Sequence, residues 1–272
     1  MRTLLTRTFY GLIFAVVMIG SILYHPILFA FVMLVVVTIG SSEMLRLHKK
    51  SRYSPNQRSL FYLIAVGSYI LGAGSALGFL ELKNLAFLIA FIMFPSVHAL
   101  FAVKHNHTNV LSLHWLNLFY ISLPAVSMLF FFTEAAAGTM AGPMLLLIVI
   151  FFVWINDTFA YLVGIAIGKH KLFPRISPKK SWEGSIGGLL ATLAAAYLFS
   201  VAFEWLSLGN SFWIALIVVV FGSLGDLIES MLKREANVKD SGHIMPGHGG
   251  ILDRFDATFF AIPFVLVYLL TH

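Results

Sequence analysis

The chain alternates between long apolar runs and short polar connections. A helix needs about 20 apolar residues to cross a bilayer, and nine runs approach that length: residues 9–24, 27–39, 60–80, 85–103, 115–132, 143–167, 186–203, 212–228 and 257–270. The second and last are short. Extending the second through Ser41, Ser42 and Glu43 to Leu47 puts Glu43 near the membrane interface. Only His25 and Pro26 separate the first two runs, so eight spans is the competing count. The N-terminus, MRTLLTRTFYGLIFAVVMIG, starts basic and then turns apolar, like a signal peptide. No small-x-small cleavage pattern follows, so it reads as a retained first span. The chain shows no internal repeat, low-complexity linker or soluble domain. The expected fold is all-α and polytopic: one membrane domain over 1–272, with helices of about 9–132 as scaffold and about 143–272 as the working part.

Composition agrees with that pattern. Apolar residues make up 59% and charged residues 11%, against about 45–50% and about 25% in soluble proteins. The net charge of +6 suits the anionic face of a membrane and also phosphate-bearing ligands. With no cysteine, disulfides, Cys-ligated zinc and thiolate chemistry are excluded. Starting from a cytoplasmic N-terminus, the inside segments are the N-terminus itself, 41–58, 104–114, 168–185 and 229–256, and they carry 17 of the 18 Lys and Arg residues. Only Lys83 falls outside. Cytoplasmic loops carry this excess of basic residues, and an eight-span count would break the alternation. The outside loops are short, which places the expected working surface on the cytoplasmic face of the membrane.

Three polar constellations stand out. The first is Asn156–Asp157, inside the sixth run. A carboxylate within a span marks a functional site by default, the other reading being a satisfied buried acid that holds helices together. The second is the loop GKHKLFPRISPKKSWEG over 168–184. Ser177–Pro178 reads as an N-cap and first helical residue. Lys179 and Lys180 would then sit in the first turn, where free backbone N–H groups favour an anion. Phosphate binding and a plain positive-inside loop remain equal readings here. The glycines around this loop, Gly164, Gly168, Gly184, Gly187 and Gly188, read as close helix packing.

The third is Ser230–Asp256, SMLKREANVKDSGHIMPGHGGILDRFD, with Asp226 just upstream. Asp253 and Asp256, three residues apart, share a helix face. With Asp226 they form an oxygen set suited to Mg²⁺, which takes one or two carboxylates plus substrate phosphates. Lys233, Arg234, Lys239 and Arg254 are placed to hold phosphate oxygens. The string Pro246–Gly250, containing His248, Gly249 and Gly250, lets the backbone approach a ligand closely. It is not a Walker A loop. His243 and His248 as zinc ligands is the weaker reading, without cysteines or a His-Glu-x-x-His pattern. The kit fits phosphoryl or nucleotidyl transfer, in which positioning and charge neutralisation do most of the work. There is no pattern for a catalytic triad.

The residues now resemble a known signature. Ser230-x-Leu-Lys-Arg, Lys239-Asp240-x-Gly and Pro246-x-His-Gly-Gly-Ile-x-Asp-Arg-Phe-Asp256 are similar to the phosphatidate cytidylyltransferase (CDP-diacylglycerol synthase) signature. Asn156-Asp157, Ala160-Tyr161, Gly164, Gly168-Lys169 and Ser177-Pro178-x-Lys180-Ser181-x-Glu183-Gly184 resemble the family's other recurrent block. Met245 and Ser181 depart mildly from the usual residues, and neither changes a charge. The resemblance implies transfer of the cytidylyl group of CTP to phosphatidate with Mg²⁺, and a second cation such as K⁺ is open. It implies Asp226, Asp253 and Asp256 as metal-binding acids, with Lys233 also at the chemistry. Lys233, Arg234, Lys239 and Arg254 would contact phosphate, Lys179 and Lys180 either substrate. CTP, phosphatidate and membrane lipid are the expected partners. Nucleic acid is not, and a homodimer is left open. The alternatives are a CTP-dependent enzyme acting on another lipid, and a cation-coupled transporter using Asp157 and Asp226. Transporters often carry inverted repeats, and none is seen. A reporter active only in the cytoplasm is expected to be silent when fused after His272; activity there would contradict the assigned orientation.

Overall fold

The computed structural model describes residues 2–48, 54–81, 93–97, 99–100, 107–244 and 249–272. Among these, seven helices are long and apolar enough to cross a bilayer, and Thr8–Tyr24 is a shorter apolar helix. The chain is an integral membrane protein on that ground. Eight of the nine expected runs lie in these helices, and most of the run at 85–103 lies outside the described residues.

The first two runs are separate helices, α1 (Arg2–Tyr24) and α2 (Pro26–Leu47). His25 makes the break. Its backbone is extended and its Nδ1 accepts from the Ile27 N–H at 3.2 Å, while Pro26 takes the first helical position, where no N–H is needed. The second run does extend to Leu47, and Glu43 within it is enclosed by protein and only 2% exposed.

Helix α3 (Pro55–Ala76) opens on a reciprocal cap between Ser54 and Gln57. The next membrane segment, His107–Phe132, is not regular. It runs as α4 (His107–Asn117), one π-helical turn (Leu118–Ser122), α5 (Leu123–Leu129) and a 3₁₀ turn (Phe130–Phe132). Its hydroxyls tie it to neighbours: Ser122 donates to the Ala65 carbonyl at 3.1 Å and Tyr120 to the Gly225 carbonyl at 2.9 Å.

The second half contains α6 (Glu134–Ile167), α7 (Trp182–Ala202), α8 (Leu208–Glu235) and α9 (Leu252–Thr271). Helices α6 and α7 pack closely along the expected small-residue seam. A Cβ at Gly188 would sit 2.8 Å from the Asn156 carbonyl and 3.2 Å from the Ala160 methyl. In lipid, where no hydrophobic drive separates protein from solvent, such close backbone approach is a main source of helix association. Phe29, Met33, Phe131, Phe152, Phe255 and Phe259 are among the buried side chains of one continuous core. Leu190, Leu198 and Val201 on α7 are exposed, as a lipid-facing surface allows.

The loop after α6 corrects the sequence reading. Ser177–Pro178 does not start a helix. Ser177–Ser181 is a strand, β2, paired antiparallel with β1 (Lys171–Phe173), so the described residues are helical with one small hairpin. The fixed φ of proline suits an extended edge as well as a helix start, and its missing N–H is harmless there. The true cap is Ser181, whose Oγ accepts from Gly184 N–H at 3.2 Å. Glu183 in that first turn reaches back and accepts from the backbone N–H groups of Lys169 and His170 at 3.1–3.2 Å, closing the base of the hairpin. The long loop expected over 229–256 is also shorter, because α8 continues to Glu235. It ends there through Asn237 in the left-handed region (φ 57°), whose N–H bonds to Arg234 O while Val238 N–H bonds to Lys233 O.

A carboxylate cluster at the meeting of two helices

Helix α8 places Asp226, Glu229, Ser230 and Lys233 on one face, by spacings of three, four and seven. Helix α9 brings Asp253 and Asp256 against that face. One oxygen from each of Asp226, Glu229 and Asp256 lies within 4.8 Å of the others. Glu229 is fully buried, and its Oε1 has no hydrogen-bond partner among the described residues. Buried carboxylates this close repel each other unless protons, a basic group or a cation intervenes. An all-oxygen group of this kind suits a hard divalent cation. The orphaned Glu229 oxygen is what such a cation would satisfy.

Asp253, expected as part of the same group, is committed elsewhere. Its Oδ1 accepts from Lys233 Nζ at 2.6 Å. Its Oδ2 takes the backbone N–H groups of Ser241 and Gly250 at 2.9 and 2.7 Å, and lies 2.9 Å from Ser241 Oγ. Lys233 in turn also pairs with Glu229 one turn earlier on its own helix. The ammonium therefore bridges α8 and α9, between the acid cluster and the loop that precedes α9.

The other candidate residues divide clearly. Lys180, on β2, pairs with Asp226 at 2.7 Å, so the hairpin does reach the site. Lys179 beside it is exposed. Asp157, with Asp253, Arg254 and Asp256, lines the polar side of a cavity of about 320 Å³. Gly11 and Phe14 of α1, with Val153, form the apolar side. Asn156 is buried in the α6–α7 seam beside Gly188, so it packs helices and does not face this cavity. Arg234 donates to the Val238 carbonyl at 3.0 Å and secures the end of α8. Lys239 is exposed. Gly249 has φ +82° and Gly250 supplies an N–H to Asp253, so this glycine pair shapes the turn. His248 lies outside the described residues; His243 is exposed and stands outside the carboxylate group.

Three contributors escaped the sequence reading. Glu229 carries a readable signal, three residues after Asp226 and four before Lys233 on an α8 face. Glu43 was visible as a lone acid at the tail of an apolar run, but nothing local says what it meets. Tyr120 holds Gly225, the residue before Asp226, and only the π-helical turn that aims it would have pointed there.

A model of the Cytidylyltransferase family matches residues 5–272. A phosphatidate cytidylyltransferase of Staphylococcus aureus (strain COL) is 52% identical over 123 residues, covering 43% of this chain and 46% of that protein. The similarly named protein of Staphylococcus haemolyticus is 50% identical over 123 residues, and that of Staphylococcus saprophyticus 46% over 122. The chain thus matches about half the length of these curated relatives, 46% in each case.

The pairing of Lys233 makes a prediction. Removing one partner of a buried ion pair leaves an uncompensated charge, which costs about 3–5 kcal/mol. Lys233→Met is expected to lower unfolding stability in detergent by that order, with Lys233→Met/Glu229→Met recovering part of the loss. A single variant as stable as the wild type would mean that the bridge does not hold the two helices.

Proposed function

Because the chain belongs to the cytidylyltransferase family, we propose that it transfers the cytidylyl group of CTP to phosphatidate at the cytoplasmic face of the membrane. The reading is supported above all by the carboxylate cluster Asp226–Glu229–Asp256, set at one end of a bundle beside a cavity with one polar and one apolar side. The names of its relatives point to the same reaction.

Phosphatidate is a phosphate monoester, and its second pKa of about 6 leaves it mostly ionised near neutral pH. It needs no general base. Its phosphate oxygen attacks the α-phosphorus of CTP, the bond from that phosphorus to the bridging oxygen of the β-phosphate breaks, and pyrophosphate leaves with the bonding pair. The products are CDP-diacylglycerol and pyrophosphate. What the protein must supply is orientation and relief of charge repulsion.

Asp226, Glu229 and Asp256 would hold Mg²⁺, which when bound neutralises the negative charge shared by the two substrates. Glu229 takes the place first given to Asp253, because Asp253 already answers to Lys233, Ser241 and Gly250. Lys180 and Arg254 flank the cluster from the hairpin and from α9, where they meet phosphate oxygens. Lys180 exchanges Asp226 for a substrate phosphate when the site fills. Lys233 keeps its place between the helices and sets the distance between the acids. The apolar wall of α1, at Gly11 and Phe14, receives the glycerol end of the lipid, whose chains continue between the helices.

The test uses the purified protein with phosphatidate and CTP labelled in the cytidine moiety or in the γ-phosphate. Cytidine label is expected in lipid and γ-label in pyrophosphate. Lipid labelled only from the γ-phosphate would indicate a kinase and overturn the proposal. Asp256→Asn, Asp226→Asn and Asp253→Asn are each expected to abolish transfer while the protein still inserts and unfolds cooperatively; near-normal turnover in any of them removes that acid from the machinery.

A further inference from the structure

Glu43 has no part in the reaction just described. It lies about two hundred positions before the acids in sequence, on α2, yet its carboxylate is fully used. Oε1 accepts from the Ile251 N–H at 3.0 Å, and Oε2 from the Leu252 N–H at 3.0 Å. Ser241 Oγ lies 2.8 Å from the same Oε2 and 2.9 Å from Asp253 Oδ2, so one hydroxyl hydrogen serves two carboxylates.

The physical reason for these contacts is the start of α9. The first amides of a helix have no acceptor within it, and Ile251, at the cap position, has no side chain that can serve. A carboxylate from another helix supplies the acceptors, and its charge suits the positive end of the helix dipole. Space is reserved for it on both sides. A Cβ at either Gly242 or Gly250 would overlap the Glu43 carboxylate. From Ser241 the contacts continue through Asp253 to Lys233 and on to Glu229. The carboxylates of Asp253 and Asp256 begin one and four residues after Leu252, where any shift of the helix start displaces them.

We infer that Glu43 is a positioning residue for the carboxylate site: from the second membrane helix it fixes the start of α9 and the Ser241 turn, and so sets the spacing of Asp256 from Asp226 and Glu229. The inference rests on the proposed cytidylyl-transfer site for its consequence in turnover, but not for its consequence in cation binding. Groups that orient metal-binding side chains from outside typically cost about 10–100-fold in metal affinity or activity when removed.

Glu43→Gln keeps the size of the side chain but turns an amide NH₂ toward one of the N–H donors. Glu43→Asp keeps the charge and withdraws it by one methylene. Ser241→Ala leaves the grip on α9 and the backbone N–H on Asp253, and removes only the hydroxyl that joins Glu43 to Asp253. Each purified variant is compared with the wild type by thermal unfolding, by Mn²⁺ titration followed by electron paramagnetic resonance, and by turnover with CTP and phosphatidate. Glu43→Gln is expected to unfold cooperatively, to bind Mn²⁺ about 10–100-fold more weakly and to lose a similar factor in kcat. Glu43→Asp is expected to recover part of both, and Ser241→Ala to show a smaller loss in the same direction.

A merely structural acid would lower the unfolding temperature and leave Mn²⁺ affinity per folded molecule unchanged, and that result overturns the inference. So does a wild type that binds no Mn²⁺. Should Glu43→Gln fail to fold, Glu43→Asp and Ser241→Ala decide, and wild-type Mn²⁺ affinity in both overturns it. If the wild type binds Mn²⁺ and the variants bind it weakly, but no cytidylyl transfer occurs, the inference stands and the assigned reaction falls.

Discussion

The structure depends on keeping several carboxylates close together at the end of a lipid-embedded bundle. Asp226, Glu229, Asp253 and Asp256 meet where α8 and α9 pack, and Lys233 is the cation bonded to two of them. Ionised groups at such a position are expensive, and each must find a partner or lose its charge. The surrounding contacts answer that demand. Lys233 divides itself between Glu229 and Asp253, Lys180 reaches in from the hairpin to Asp226, and the backbone amides of Ser241 and Gly250 close around Asp253. Among the described residues of this cluster, Glu229 Oε1 is left without a hydrogen-bond partner.

The first half of the chain is more than a membrane anchor for the second. Three of its helical segments reach the working end. Gly11 and Phe14 wall the cavity, Glu43 holds the start of α9, and Tyr120 holds Gly225 next to Asp226. All three are contacts between elements far apart in sequence, and two are made by buried polar groups whose hydrogen bonds have definite directions. Such bonds are strong where water is excluded, so they set the relative position of α8 and α9 more sharply than apolar packing alone.

Much of this was legible in the residues. Hydropathy located the helices, because the membrane demands long apolar runs and little else locally. The break between α1 and α2 followed from the alternation of basic residues, although only His25 and Pro26 mark it locally. The shared face of Asp253 and Asp256 on α9 followed from spacing, whereas Lys233 was expected in a loop and lies on α8, which continues to Glu235. Ser177–Pro178 misled, because an N-cap signal and an extended proline edge look alike until the partner strand is known. The grouping of Glu229 with Asp226 and Asp256, while both oxygens of Asp253 are taken by Lys233, Ser241 and Gly250, depends on the crossing of two helices, and no local pattern encodes it. Glu43 was the least legible of all, since its function is set by three backbone and side-chain donors about two hundred residues away.

The central claim is that Asp226, Glu229 and Asp256 form one cation site and that Asp253 holds Lys233 beside it. Calorimetric titration of Mg²⁺ into the purified protein tests this directly. The account predicts one site per chain, lost in Glu229→Gln. Undiminished Mg²⁺ binding by Glu229→Gln would contradict it.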